Sequence, residues 1–277
     1  MYLFVKSFLL FTISFLLIFT NLSAQIDKSD FGVFGGCSYY IGDLNTNKHF
    51  LKISPSIGAF YRYNLHKRWS IKGGVIKGKV YGDDALSKNN YQKIRNLSFS
   101  SEILEFTIQF EFNFFPFQSG ETKNYPSPYI FAGGSFFSFN PVGTLDGEKY
   151  NLQKLGTEGQ GLTTNPNKKY YSLMRPSFPF GFGIKFNPIN RISVALEWGL
   201  RRCFTDYLDD VSTEYPNKYE LAAEKGEEAS RLSDKSINGI GDKTGLQRGN
   251  PNTKDYYSFA GIIIYYKLFK PRCPQFQ

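Results

Sequence analysis

Chemistry in this sequence would have to start from two histidines, three cysteines, one glycine-rich run and one acidic run. His49 and His66 are the imidazoles available for acid–base work. A hydrolytic nucleophile needs a base within hydrogen-bond reach, itself oriented by a third group. No serine pairs with His49 in any such pattern, and His66 lies in a tight turn at the opposite end of the neighbouring strands. Surface histidines are the better reading. Asp206, Asp209, Asp210 and Glu214 are oxygen ligands of the kind Ca²⁺ takes. Their spacing does not fit the EF-hand loop, so a solvated acidic loop base is expected. Gly156-Thr157-Glu158-Gly159-Gln160-Gly161 lacks the Lys-Ser/Thr ending of a phosphate loop. It reads as a structured loop that uses the positive φ open to glycine. Cys37, Cys203 and Cys273 match no zinc spacing and are read as unpaired thiols. The sequence therefore offers no catalytic residue, no cofactor and no metal set.

Composition narrows the class. The 277 residues are 18% aromatic, with 28 Phe and 19 Tyr, which suits a β-structure with aromatic girdles. The formal charge is +9. No basic patch with interleaved aromatics matches a nucleic-acid module, so nucleic acid is not an expected partner. The basic residues fit loops and anionic lipid head groups better. Residues 1–24 read as a secretory leader: Lys6, an apolar run over 7–20, then Leu22-Ser23-Ala24 ahead of Gln25. No later stretch approaches the apolar length of a membrane helix. Residues 25–277 then form one domain, either secreted or a membrane barrel.

The stretch 103–114 poses that choice, and the rest of the chain has to make it. Leu104, Phe106, Ile108, Phe110, Phe112 and Phe114 alternate with Glu105, Thr107, Gln109, Glu111 and Asn113. Period two is the signature of a strand with one apolar and one polar face. Its length is that of a tilted membrane strand, about 9–11 residues. Strands are expected over 31–40, 55–64, 69–81, 99–115, 129–140, 178–186, 191–204 and 256–268. The faces of the first are ambiguous. The connections alternate long, short, long, moderate, long, short, long. A soluble sandwich has no reason to show that rhythm; an outer-membrane barrel has short periplasmic turns and long outer loops. The expected fold is thus all-β, an eight-stranded antiparallel transmembrane barrel, with helix-forming composition over 219–234 weakened by Gly226. Arg62, Lys72, Glu105, Gln109, Glu111, Lys185, Glu197 and Arg201 fall on lumen faces. Buried charges need partners, so a salt-bridged plug is expected in place of a water channel.

Several segments together resemble one family. They are Phe31-Gly-Val-Phe-Gly-Gly-Cys-Ser-Tyr-Tyr-Ile-Gly42-Asp43-Leu44-Asn45, Tyr61-Arg-Tyr-Asn64, Arg95-Asn-Leu-Ser-Phe99, Glu111-Phe-Asn-Phe-Phe-Pro116, Leu155-Gly156-Thr157-Glu158-Gly159-Gln160-Gly161, and the run from Glu197 through Thr205-Asp206-Tyr207-Leu208-Asp209-Asp210 to Thr213. They resemble the PorG-like outer-membrane proteins of Bacteroidota, which include the barrel subunit of the type IX secretion system. The resemblance covers nearly the whole mature chain. It implies a structural, non-enzymatic role in the cell outer membrane, in contact with its lipid. It also implies docking, on the periplasmic side, to a ring lipoprotein and its partner protein. The Gly42–Leu44, Gly156–Gly161 and Thr205–Asp210 loops would then be structural or partner-contacting. A lipid- or small-molecule-active barrel and a surface adhesin are the alternatives.

Overall fold

The computed structural model describes residues 28–46, 48–120, 125–237 and 241–268. The leader at 1–24, the tail after Lys270 and Cys273 lie outside them. Alternating inward and outward side chains build β1 (Ser29–Ile41), β2 (Ser54–His66), β3 (Trp69–Asp83), β4 (Ser98–Asn113), β5 (Ser127–Leu145), β6 (Glu148–Asn151), β7 (Met174–Ile189), β8 (Ile192–Cys203) and β9 (Tyr256–Lys267). Every pairing is antiparallel, in the order β4-β3-β2-β1-β9-β8-β7-β5. Pairing of β4 with β5, from Ser100↔Val142 to Asn113↔Tyr129, closes the sheet on itself. The result is a closed eight-stranded barrel, with β6 added as a short flap on the far end of β5.

The organising strand does what its pattern requires. Glu105, Gln109 and Glu111 are fully buried in the lumen, while Phe106, Ile108 and Phe110 are 50%, 62% and 57% exposed on the outer wall. The same exposed apolar row continues through Ile57, Phe178, Phe182, Leu196, Ile262 and Ile264. An apolar belt around a closed, edgeless barrel with a polar interior is the surface of a membrane-spanning barrel. No helix among the described residues is long and apolar enough to cross a membrane, which says nothing of strands.

The lumen is filled by paired charges and aromatic rings. Lys72 Nζ lies 2.5 Å from Glu197 and 3.2 Å from Glu111; Lys185 Nζ lies 2.5 Å from Glu111. Arg62 pairs with Asp30 at 2.9 Å and lies 3.8 Å over the Tyr265 ring. Further along, Glu105 takes Arg201 at 3.2 Å and the Tyr257 hydroxyl at 2.6 Å. Rings of Phe34, Phe60, Phe131, Phe137 and Phe259 occupy the space between.

The structure corrects several sequence expectations. Residues 141–172 are not simply a polar loop. β5 runs on through Pro141 to Leu145, then turns at Asp146 (φ 50°) and Gly147 (φ 88°) into β6. A two-residue Asp-Gly turn with both φ positive matches the twist of a hairpin. The 82–96 loop holds a 3₁₀ turn (Asp84–Leu86) and helix α1 (Asn90–Arg95), closed by Asn96 at φ 55°. A single turn, α2, follows β6 (Leu152–Leu155). The expected helix over 219–234 is two helices, α3 (Lys218–Lys225) and α4 (Glu227–Ser233), broken at Gly226 with φ 97°. The moderate turn after β4 folds back across the mouth. Phe117 is buried there, its N–H donates to the Lys67 carbonyl at 2.9 Å, and Ser119 bonds Ser193 at 2.7 Å.

Candidate functional site

Four long connections gather over one end of the barrel, and the motif loops meet inside that cap. Glu158 is the centre of the arrangement. Its carboxylate accepts from the N–H groups of Ser212 (2.8 Å) and Thr213 (3.1 Å), the Thr213 hydroxyl (2.6 Å), the Tyr207 hydroxyl (3.2 Å) and the Arg248 guanidinium (3.1 Å). A carboxylate with this many donors is fixed in one orientation. Gly156, Gly159 and Gly161 stand at φ 63°, 84° and 72°, which lets the loop fold tightly enough to deliver Glu158. Gln160 Oε1 accepts from the Glu158 N–H at 3.1 Å. Thr157 donates to Asp210, and its carbonyl accepts from Ser233.

The three aspartates of the acidic run are buried. Asp210 also accepts from the Tyr171 hydroxyl at 2.6 Å, and Asp206 from the Ser212 hydroxyl at 2.8 Å. Thr205 Oγ1 receives the Tyr207 N–H at 3.2 Å, and the Tyr207 ring stacks on Tyr171 with centroids 4.5 Å apart. Asp209 takes the Tyr40 hydroxyl at 2.5 Å, and Asp255 lies 3.2 Å from that same hydroxyl. The solvated acidic loop base expected of this run holds only at Glu214, which is exposed; the loops enclose Asp206, Asp209 and Asp210 and supply donors to them. Burial pushes Asp206 up to about 7 and Asp210 to about 6, the latter against the pull of Arg248. Burial first, then repulsion from neighbouring carboxylates (Asp255 and Asp43 on Asp209, Asp206 and Asp43 on Asp255), raises both well above the usual carboxylate range. Among the described residues, no group of three or more His, Cys, Asp and Glu is arranged to hold a metal ion.

The first motif loop joins the same network. Gly42 and Asn45 exchange backbone hydrogen bonds at 3.0 Å, and Asp43 accepts the Asn250 N–H at 2.8 Å. Leu44 is buried in the core. A Cβ on Gly42 would stand 2.1 Å from both Asp255 Oδ1 and the Tyr40 hydroxyl oxygen, so only glycine fits there. The three motif loops therefore belong to one cap. Thr157, Glu158, Gln160, Asp209 and Asp210 are too deeply buried to meet a partner directly.

Two arginines that the sequence reading did not single out as site residues tie the loops together. Arg95 grips Asp84 through two bonds (2.7 and 2.8 Å) and donates to the carbonyls of Arg248 (2.6 Å) and Asp43 (3.0 Å). Arg248 donates to Glu158, to the Ser233 carbonyl at 3.1 Å and to the Asp210 carbonyl at 2.5 Å. Arg95 lies in a quoted motif segment; Arg248 carried no signal, being in a stretch with no periodicity. His49 and His66 sit at opposite ends of β2. His49 shares a hydrogen bond with the Tyr39 hydroxyl at 3.0 Å, and His66 is exposed. Cys37 and Cys203 are free thiols.

These features define a membrane-spanning eight-stranded barrel with a packed lumen and a hydrogen-bonded cap. Residues 7–225 match the family described as Domain of unknown function (DUF6089), and the chain belongs to it. No curated protein matches the chain. Among solved structures it is similar to Neisserial surface protein A (9% identity, 87% of this chain and 97% of that one, TM-score 0.40). It is also similar to Ail, the attachment invasion locus protein of Yersinia pestis (10%, 86% and 96%, TM-score 0.39). A third is OprG, an outer membrane protein of Pseudomonas aeruginosa (10%, 87% and 97%, TM-score 0.35). These are likenesses of fold.

Proposed function

We propose that this chain is a non-enzymatic outer-membrane barrel that serves as an anchoring component of the type IX secretion apparatus. In this reading the capped end faces outward and the short-turn end faces the periplasm, where it contacts the ring lipoprotein and its partner. Outer-membrane lipid surrounds the apolar belt. The observation that carries the structural role is the convergence of the PorG-like motif loops on one buried network. Their side chains are consumed in holding the cap closed, and none is presented as a nucleophile or ligand. The packed, charge-paired lumen supports an anchor in preference to a conduit. A clean deletion tests the reading: secretion of type IX cargo is lost and returns on complementation. Normal secretion in the deletion would remove the role.

A further inference from the structure

The short-turn end of the barrel carries a basic cleft that the anchoring role does not by itself explain. A cavity of about 300 Å³ opens there, lined by Lys28, Asn64, His66, Lys67, Phe117 and Lys267 among others. Register fixes where these side chains go. Lys267 is two residues after the lumen-facing Tyr265, so it projects over the mouth, away from the lipid wall, and Lys28, just ahead of β1, lines the same hollow. Lys67 and His66 come from the exposed β2–β3 turn. The fold-back segment with Phe117 and Ser119 floors the cleft and is pinned by the bonds to Lys67 and Ser193. Arg68 and Arg191 stand on neighbouring turns at the same end. Among the described residues the acids nearest this mouth, Asp30 and Glu111, are both buried and paired, Asp30 with Arg62 and Glu111 with Lys72 and Lys185.

We infer that this cleft binds an acidic peptide segment of a soluble partner protein. Charge complementarity names the chemistry: a preformed hollow ringed by cations and short of anions steers and holds carboxylates. Position names the source. The cations stand over the mouth and face the aqueous space, whereas lipid head groups ring the wall outside. That the aqueous space is the periplasm rests on the proposed function; the chemistry of the cleft does not.

The test uses the full barrel in phosphatidylcholine nanodiscs and a fluorescein-labelled peptide of Glu and Ser residues. Binding is expected, weakening as salt rises, with Kd raised about tenfold by Lys28→Glu/Lys267→Glu and less by the neutral Lys67→Gln in its exposed turn. Lys149→Glu, on the flap at the capped end, is expected to leave Kd unchanged. Heat-modifiable gel migration confirms that each variant is folded. Equal binding by all variants would overturn the proposal. So would loss of binding in phosphatidylglycerol nanodiscs, since a lipid head group would then be the occupant. The two readings separate cleanly. Peptide binding lost in the mouth variants while cargo secretion continues supports the cleft and separates it from secretion, whose own test is the deletion. Secretion lost with peptide binding intact overturns the cleft.

Discussion

Glu111→Gln is the sharpest probe of the packed lumen. Glu111 is the shared acceptor of two buried lysines, at 2.5 Å from Lys185 and 3.2 Å from Lys72. The substitution keeps volume and removes one negative charge. Lys72 retains Glu197 at 2.5 Å, but Lys185 is left with the Asn113 amide oxygen at 3.1 Å and the face of Tyr129 at 4.0 Å. An ammonium deprived of its ion-pair partner in a buried site costs about 3–5 kcal/mol. Guanidinium unfolding in phospholipid vesicles, followed through Trp69 and Trp198, reads that loss. Lys185→Met in the same background removes the stranded charge and is expected to recover much of it. A coupling of at least about 1 kcal/mol between the two sites is predicted, within the range for residues in contact. A loss below about 1 kcal/mol, or additivity within about 0.5 kcal/mol, would refute the reasoning and describe a wet, screened lumen.

The cap gives a pH prediction. Carboxyls held above their unfolded range stabilise the cap fully at low pH, near the unfolded carboxylate range. That stability is lost as pH rises through about 6 for Asp210 and about 7 for Asp206. Protease cleavage within 205–255 should therefore accelerate from pH 5 to pH 8, and Asp206→Asn should flatten the profile; a flat profile in the unaltered protein contradicts this. Gly42→Ala drives a methyl group into Asp255 and Tyr40, so it should cost about 1–3 kcal/mol and speed cleavage of the same loops, unlike Gly35→Ala, whose Cβ meets nothing on an ordinary strand backbone. With Cys37 and Cys273 both replaced by Ser, a water-soluble maleimide should leave Cys203 unlabelled until the barrel is unfolded, because that thiol is fully buried. Labelling in the folded state would show that the capped end opens.

Much of the barrel was legible because a membrane wall enforces strict alternation. β2, β4, β7 and β8 present large apolar residues outward and polar ones inward, so period two fixes their faces. β1 resisted the same reading because Gly32, Gly35 and Gly36 remove the side chains that would mark its faces. The β5–β6 hairpin lies beyond the strand expected over 129–140, because Pro141 does not end β5. It sits within the ladder opposite Ser101, and Asp146-Gly147 supplies the turn. The positive-φ glycines at 156, 159 and 161 could be read, since conformation there is local. The burial of Asp206, Asp209 and Asp210 could not. It depends on Arg95, Arg248, Tyr40 and Tyr171, which come from other loops and strand ends, and no local pattern links them.

The central claim is that the short-turn end meets periplasmic ring proteins. A photo-crosslinking side chain placed at Lys67, and separately at Lys149, tests it in native envelopes, with adducts identified by mass spectrometry. The account predicts adducts to the ring lipoprotein or its partner from position 67 and none from position 149. An absence of ring adducts from position 67 in a folded barrel, or equal capture from both ends, would contradict it.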